Sequence, residues 1–110
     1  MIEKFYLLII AHAFGDGVFQ TAWIGKYKSR LVEWRDSQDT VIKYGWFYVL
    51  SLHSIVNGAM VYLVTQNMYL GIAETILHWL IDYGSSNKKY PLSVDQTLHI
   101  VCKIGYLPFL

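Results

Sequence analysis

Histidine and aspartate recur at four-residue spacing in three places along this chain of 110 residues. Glu74, His78 and Asp82 follow one another in an apolar run, Asp95 and His99 repeat the spacing in reverse order, and His12, Asp16 and Gln20 form a third set. Residues four apart share one face of a helix, so each set lines up its donors along a single stripe. The remaining histidine, His53, stands in another apolar run. Ionised aspartates in such surroundings are costly unless something positive compensates them, and a divalent cation does so directly. Imidazole and carboxylate together suit zinc, manganese or iron, and a carboxylate can also orient a ligating histidine from behind.

The predicted ligand set is therefore His12, Asp16, His53, His78, Asp82, Asp95 and His99. It suffices for one metal with supporting partners, or for two metals sharing a bridging carboxylate. A two-metal site binds phosphate esters and activates a water at neutral pH. Asp82, Asp95 and Glu74 are the candidate catalytic proton acceptors. Gln20, Lys26 and Gln96 are the candidate substrate contacts, and Lys26 with the Lys88-Lys89 pair is placed to draw in an anion. The competing reading is plainer: each His/Asp pair is a hydrogen-bonded strut, Gln20 a helix cap, and Ser54 and Asn57 interhelical hydrogen bonders.

The elements that must position these residues are greasy. Charged residues make up 15% of the chain and hydrophobic ones 55%, with a mean hydropathy of +0.32, against ~25% charged in ordinary soluble domains. This predicts an all-α integral-membrane bundle of about four helices, forming a single domain over residues 1–110. A soluble helical protein with an apolar partner-binding face is the alternative. A formal charge of +1 disfavours nucleic acid as a partner. The lone cysteine, Cys102, reads as a small buried hydrophobe. Phe5 to Phe14 imitates a signal-peptide core, but Asp16 interrupts it and no clean cleavage site follows, so the segment is expected to be retained.

The first helix is predicted from Glu3 to Ile24, with Gly15 and Gly17 as weak points and Trp23 and Tyr27 as interfacial anchors. A polar stretch follows in which Leu31, Val32 and Trp34 can lay a short helix on a membrane surface. Tyr44 to Thr65 is the best spanning candidate, since ~20 helical residues cross a bilayer core. After a Gln66-Asn67 turn, a third segment, Met68 to Tyr83, and a fourth, Val94 to Tyr106, are short for full spans and call for bilayer thinning. Gly84 to Lys89 is expected to be a loop, and Asp95 falls in the first turn of the last helix, where a carboxylate is favoured. Seven of the nine lysines and arginines (Lys26, Lys28, Arg30, Arg35, Lys43, Lys88 and Lys89) sit in the two loops on one side of this arrangement. The positive-inside rule puts that side in the cytoplasm, with both termini outside. The His/Asp sets lie in the same half, which predicts a multi-pass protein of the bacterial cytoplasmic membrane with its site near the cytoplasmic face.

The motifs themselves resemble an uncharacterised family of small bacterial and phage integral-membrane proteins, classed as a domain of unknown function. That family's pattern is matched by Ala11-His12-Ala13-Phe14-Gly15-Asp16 with Gln20 and Lys26, by His53, by His78 to Asp82, and by Asp95-Gln96-Thr97-Leu98-His99. Gly17 departs from it, standing where an apolar residue is expected. A more distant similarity is to membrane-bound metal-dependent hydrolases, which implies hydrolysis of a lipid or phosphorylated substrate, with a metal-activated water as nucleophile. Membrane lipid and a homo-oligomer are the other expected partners. Two further hypotheses stand beside the hydrolase: a non-enzymatic membrane protein acting through a partner or oligomer, and an oligomeric proton or metal pathway.

Overall fold

The apolar runs fold, in a computed structural model, into helices separated by turns wherever glycine, asparagine or proline interrupts them. The structure describes residues 2–32, 35, 38, 39, 41 and 43–110. Among these are five α-helices: α1 (Ile2–Ala13), α2 (Ala22–Tyr27), α3 (Gly45–Thr65), α4 (Met68–Ser86) and α5 (Leu92–Tyr106). A π turn, Phe14–Val18, extends α1, and a 3-10 turn, Leu107–Phe109, follows α5. The long helices alternate in direction, and α1 packs on α3, α3 on α4, α4 on α5 and α5 back on α1. The result is a closed ring of helices, with overall extents of 50 × 25 × 21 Å.

Three expectations are corrected here. The first helix does not run unbroken to Ile24: after Ala13 it widens into the π turn, closed by the Phe19 amide on the Phe14 carbonyl at 2.7 Å. The chain then restarts as α2, with the Thr21 hydroxyl accepting from the Ile24 amide. Glycines flanking Asp16 permit this local widening, which re-aims the residues it carries. The third helix is longer than predicted, at 19 residues, because Gly84 does not break it. A Cβ there would fall 2.6 Å from the Tyr90 hydroxyl, so Gly84 is where the returning chain crosses the helix. The helix ends instead where Lys88 adopts a left-handed φ of 61°. The predicted surface helix is absent at Leu31 and Val32, which lie in turns, while Trp34 lies outside the described residues.

The Gln66-Asn67 turn forms as expected. Gln66 takes a left-handed φ of 56°, and the Asn67 side chain caps α4 by accepting from the Tyr69 and Leu70 amides. Between α3 and α4 the backbones meet at glycine: a Cβ on Gly58 would stand 1.9 Å from Thr75 Oγ1 and 2.7 Å from the Gly71 carbonyl. Leu8, Val61, Leu70 and Tyr106 pack together toward the end of the bundle that carries the Gln66-Asn67 turn, with Cys102 against them. Among the described residues one helix, Gly45–Thr65, is long and apolar enough to cross a membrane by length and composition.

Candidate metal centre

Polar side chains fill the half of the bundle away from that apolar cluster. From α3 comes His53, from α4 His78 and Asp82, from α5 His99, and from the π turn Asp16, whose widened backbone turns its carboxylate inward. Gly15 makes this approach possible, since a Cβ there would overlap the Asn57 amide at 2.0 Å.

The two carboxylates organise the three imidazoles. Asp16 Oδ1 lies 3.0 Å from His53 Nε2 and 3.1 Å from His78 Nε2, and Asp82 Oδ2 lies 3.2 Å from both of the same nitrogens. The other two oxygens face elsewhere. Asp82 Oδ1 is 3.0 Å from His99 Nε2, and Asp16 Oδ2 is 3.8 Å from it. Asp95 approaches the same His99 nitrogen with Oδ1 at 3.5 Å. His53 and His78 turn their Nε2 atoms toward each other at 3.2 Å. Donors bound to one cation at about 2.0–2.2 Å stand roughly 3 Å apart, so these spacings could accommodate a metal ion.

Behind the donors lies a supporting layer. Glu74 Oε1 accepts from His78 Nδ1 at 3.3 Å, which leaves the His78 Nε2 lone pair directed at the centre. Glu74 is itself held by the Lys103 ammonium, and its Oε2 accepts from the Tyr106 hydroxyl at 2.6 Å. Both Glu74 and Lys103 are 1% exposed. Sequence reasoning missed Lys103 and Tyr106, although Asp95, His99 and Lys103 continue one four-residue stripe, and that spacing was the available signal. Glu74, expected as a proton acceptor, spends its oxygens on these three partners.

On the opposite side a cleft of about 730 Å³ opens over the centre, lined by His12, Asp16, Gln20, Lys28, Asp95 and Gln96 among others. Gln96 ties this rim together. Its amide nitrogen donates to Asp95 Oδ2 at 2.9 Å and Asp16 Oδ2 at 3.3 Å, so its Oε1 accepts from His12 Nε2 at 2.9 Å. His12 consequently keeps a bare Nδ1, which has no hydrogen-bond partner among the described residues. His12 thus sits beside the donor clusters, its Nε2 3.7 Å from Asp16, rather than within them.

The cation at the rim is Lys28, where Lys26 was expected. Lys28 follows the C-terminus of α2 and reaches Asp82 Oδ2 at 3.0 Å and Gln20 Oε1 at 2.7 Å, whereas Lys26 is exposed with its ammonium over the Tyr27 ring. The Ser29 hydroxyl donates to the Ser86 carbonyl and pins this segment to the end of α4. Lys88 and Lys89 are also exposed and line none of the cleft. Asn57, expected to bond between helices, donates within α3 to the His53 carbonyl, and the Ser54 hydroxyl is buried without a hydrogen-bond partner among the described residues.

Three donor groups among the described residues are close enough to hold a metal ion: Asp16 with His53, His78 and Asp82; Asp16 with Asp82, Asp95 and His99; and Glu74 with His78 and His99. Six of the seven predicted ligands are in these groups, all but His12. No curated protein and no solved structure matches this chain. A family model described as Protein of unknown function (DUF3307) matches residues 4–107, and the chain belongs to that family.

Proposed function

We propose that this chain is a membrane-embedded, metal-dependent hydrolase of a phosphoester substrate carried at or in the bilayer. The observation that carries the reading is the convergence of His53, His78, His99, Asp16 and Asp82, from four separate elements, beneath a cleft rimmed by Lys28 and His12. The distribution of side chains supports the membrane setting. Leu52, Ile55, Leu63, Ile76, Leu80, Val101 and Ile104 face outward, while His53, Glu74, Asp82, Asp95 and Lys103 are buried. A polar interior inside an apolar coat suits hydrocarbon as solvent. At 1.5 Å per residue α3 and α4 reach about 31 and 28 Å and α5 about 22 Å, so α3 and α4 match a bilayer core and α5 is accommodated by local thinning. The basic segments before α3 and after α4 lie at the end that holds the site, which favours a cytoplasmic mouth.

A divalent cation at this centre supplies Lewis-acid activation of water and charge neutralisation at phosphorus. The Lys28 ammonium, bound to Asp82 and Gln20, offers its one remaining proton to a phosphoryl oxygen. Gln96 fixes the tautomer of His12. His12 Nδ1 receives the proton that the attacking water loses as its oxygen bonds to phosphorus, and returns it to the alkoxide released when the ester P–O bond breaks. Asp82, committed to three histidines and Lys28, holds and orients rather than taking a proton.

Elemental analysis of detergent-purified protein, paired with hydrolysis of phosphatidic acid in mixed micelles, tests this. Bound zinc, manganese or iron, lost together with activity in His78→Ala, is the expected result. His12→Gln should keep its metal and lose about 10²–10⁴-fold in kcat. Wild type that carries no metal after reconstitution, or hydrolysis that continues in chelator, would overturn the proposal.

A further inference from the structure

We infer that the centre holds two divalent cations, bridged by both Asp16 and Asp82 and bound with unequal strength, an inference that rests on the metal-centre reading above. Each carboxylate divides its oxygens between two donor groups. Asp16 Oδ1 and Asp82 Oδ2 face His53 and His78 at 3.0–3.2 Å. Asp82 Oδ1 and Asp16 Oδ2 face His99 at 3.0 and 3.8 Å, and Asp95 Oδ1 completes that second set at 3.5 Å. Two sets of four donors result, each with carboxylate and imidazole, sharing two bridging residues.

Asp95 supplies the independent observation. Asp95 is 4% exposed and, among the described residues, its Oδ1 has no hydrogen-bond partner, although Gln96 satisfies Oδ2. A bare carboxylate oxygen in such a place is costly, and a cation between it and His99 removes that cost. Carboxylates bridging two cations hold them about 3.5–4 Å apart, the arrangement that grips both the attacking and the leaving oxygen in phosphoryl displacement.

The inequality comes from what stands behind each histidine. His78 is braced at Nδ1 by Glu74, whereas His99 Nδ1 has no hydrogen-bond partner among the described residues. Such bracing is worth about 10–100-fold in metal affinity, so the His53/His78 site fills first and the His99/Asp95 site exchanges more readily.

Manganese titration of the chelator-stripped, detergent-solubilised protein, followed by electron paramagnetic resonance, tests this without reference to activity. Wild type should bind two equivalents, the first at least tenfold tighter, and the second should convert the isolated-ion spectrum into that of an exchange-coupled pair. Asp95→Asn should bind one equivalent with no coupling, its folded state checked by circular dichroism; His99→Gln serves the same purpose should the first variant misfold. One equivalent in wild type, or a coupled pair that persists in a folded variant, overturns the second site. One equivalent with phosphatidic acid hydrolysis leaves the hydrolase standing alone. Two equivalents without hydrolysis leave the dinuclear centre and remove the hydrolase, and no manganese at all removes both.

Discussion

At the scale of single residues the interior is a chain of paired charges, among them the fully buried pair of Glu74 with Lys103. Removing one member of a buried pair strands the other, which costs about 3–5 kcal/mol, while replacing both by neutral groups is far milder. Lys103→Met should therefore lower the melting temperature in detergent sharply, and Glu74→Gln added to it should recover at least half the loss. Glu74→Gln alone should weaken metal binding about 10–100-fold by freeing the His78 ring, read out by competition with a chelating dye. The sequence made Glu74, His78, Asp82, Asp95 and His99 legible because four-residue spacing is a property of the helix itself. It did not separate Lys28 from Lys26, since that choice depends on where α2 stops and how Ser29 ties it to Ser86. Nor did it show that Gln96 would commit His12 Nε2, because that bond joins residues 84 apart.

At the scale of elements the decisive contact is the crossing of α3 and α4. Without side chains at Gly58 and Gly71 the two helices approach closely enough to bring His53 against His78. Gly58→Val should force them apart, cost more than about 2 kcal/mol and abolish metal retention. Gly105→Ala, at a position with open space around it, should leave both unchanged or gain slightly in stability. Circular dichroism melts with metal analysis on both variants check this. The long helices and the turn at Gln66-Asn67 were legible from hydropathy and turn chemistry. The π turn was not: glycines flag a weak point, but whether a helix breaks, bends or widens there is decided by what it packs against, here Asn57 of α3.

At the scale of the whole molecule, polarity is distributed inside out, and two outcomes follow from the proposed setting. The protein should stay with membranes through alkaline carbonate extraction. Single cysteines placed in Cys102→Ser protein at Lys88 and at Gln66 should label from opposite faces of sealed vesicles, Lys88 from the cytoplasmic one. The metal centre should also stabilise the bundle. Because protons compete with metal for imidazole, acid lowers occupancy as a chelator does. Stripping a cation present at 100 times its Kd removes about 2.7 kcal/mol, which a melting curve registers as a lower midpoint.

The packing of Leu8, Val61, Leu70 and Tyr106 beyond the Glu74–Lys103 pair gives this interior a floor. A polar shaft stopped by such a plug is a blind well. On the proposed reading, whatever enters over His12 and Lys28 leaves by the same opening, so substrate and products would stay on one side of the bilayer. The proposed reaction would then be scalar rather than vectorial, neither drawing on the membrane potential nor letting ions run down it.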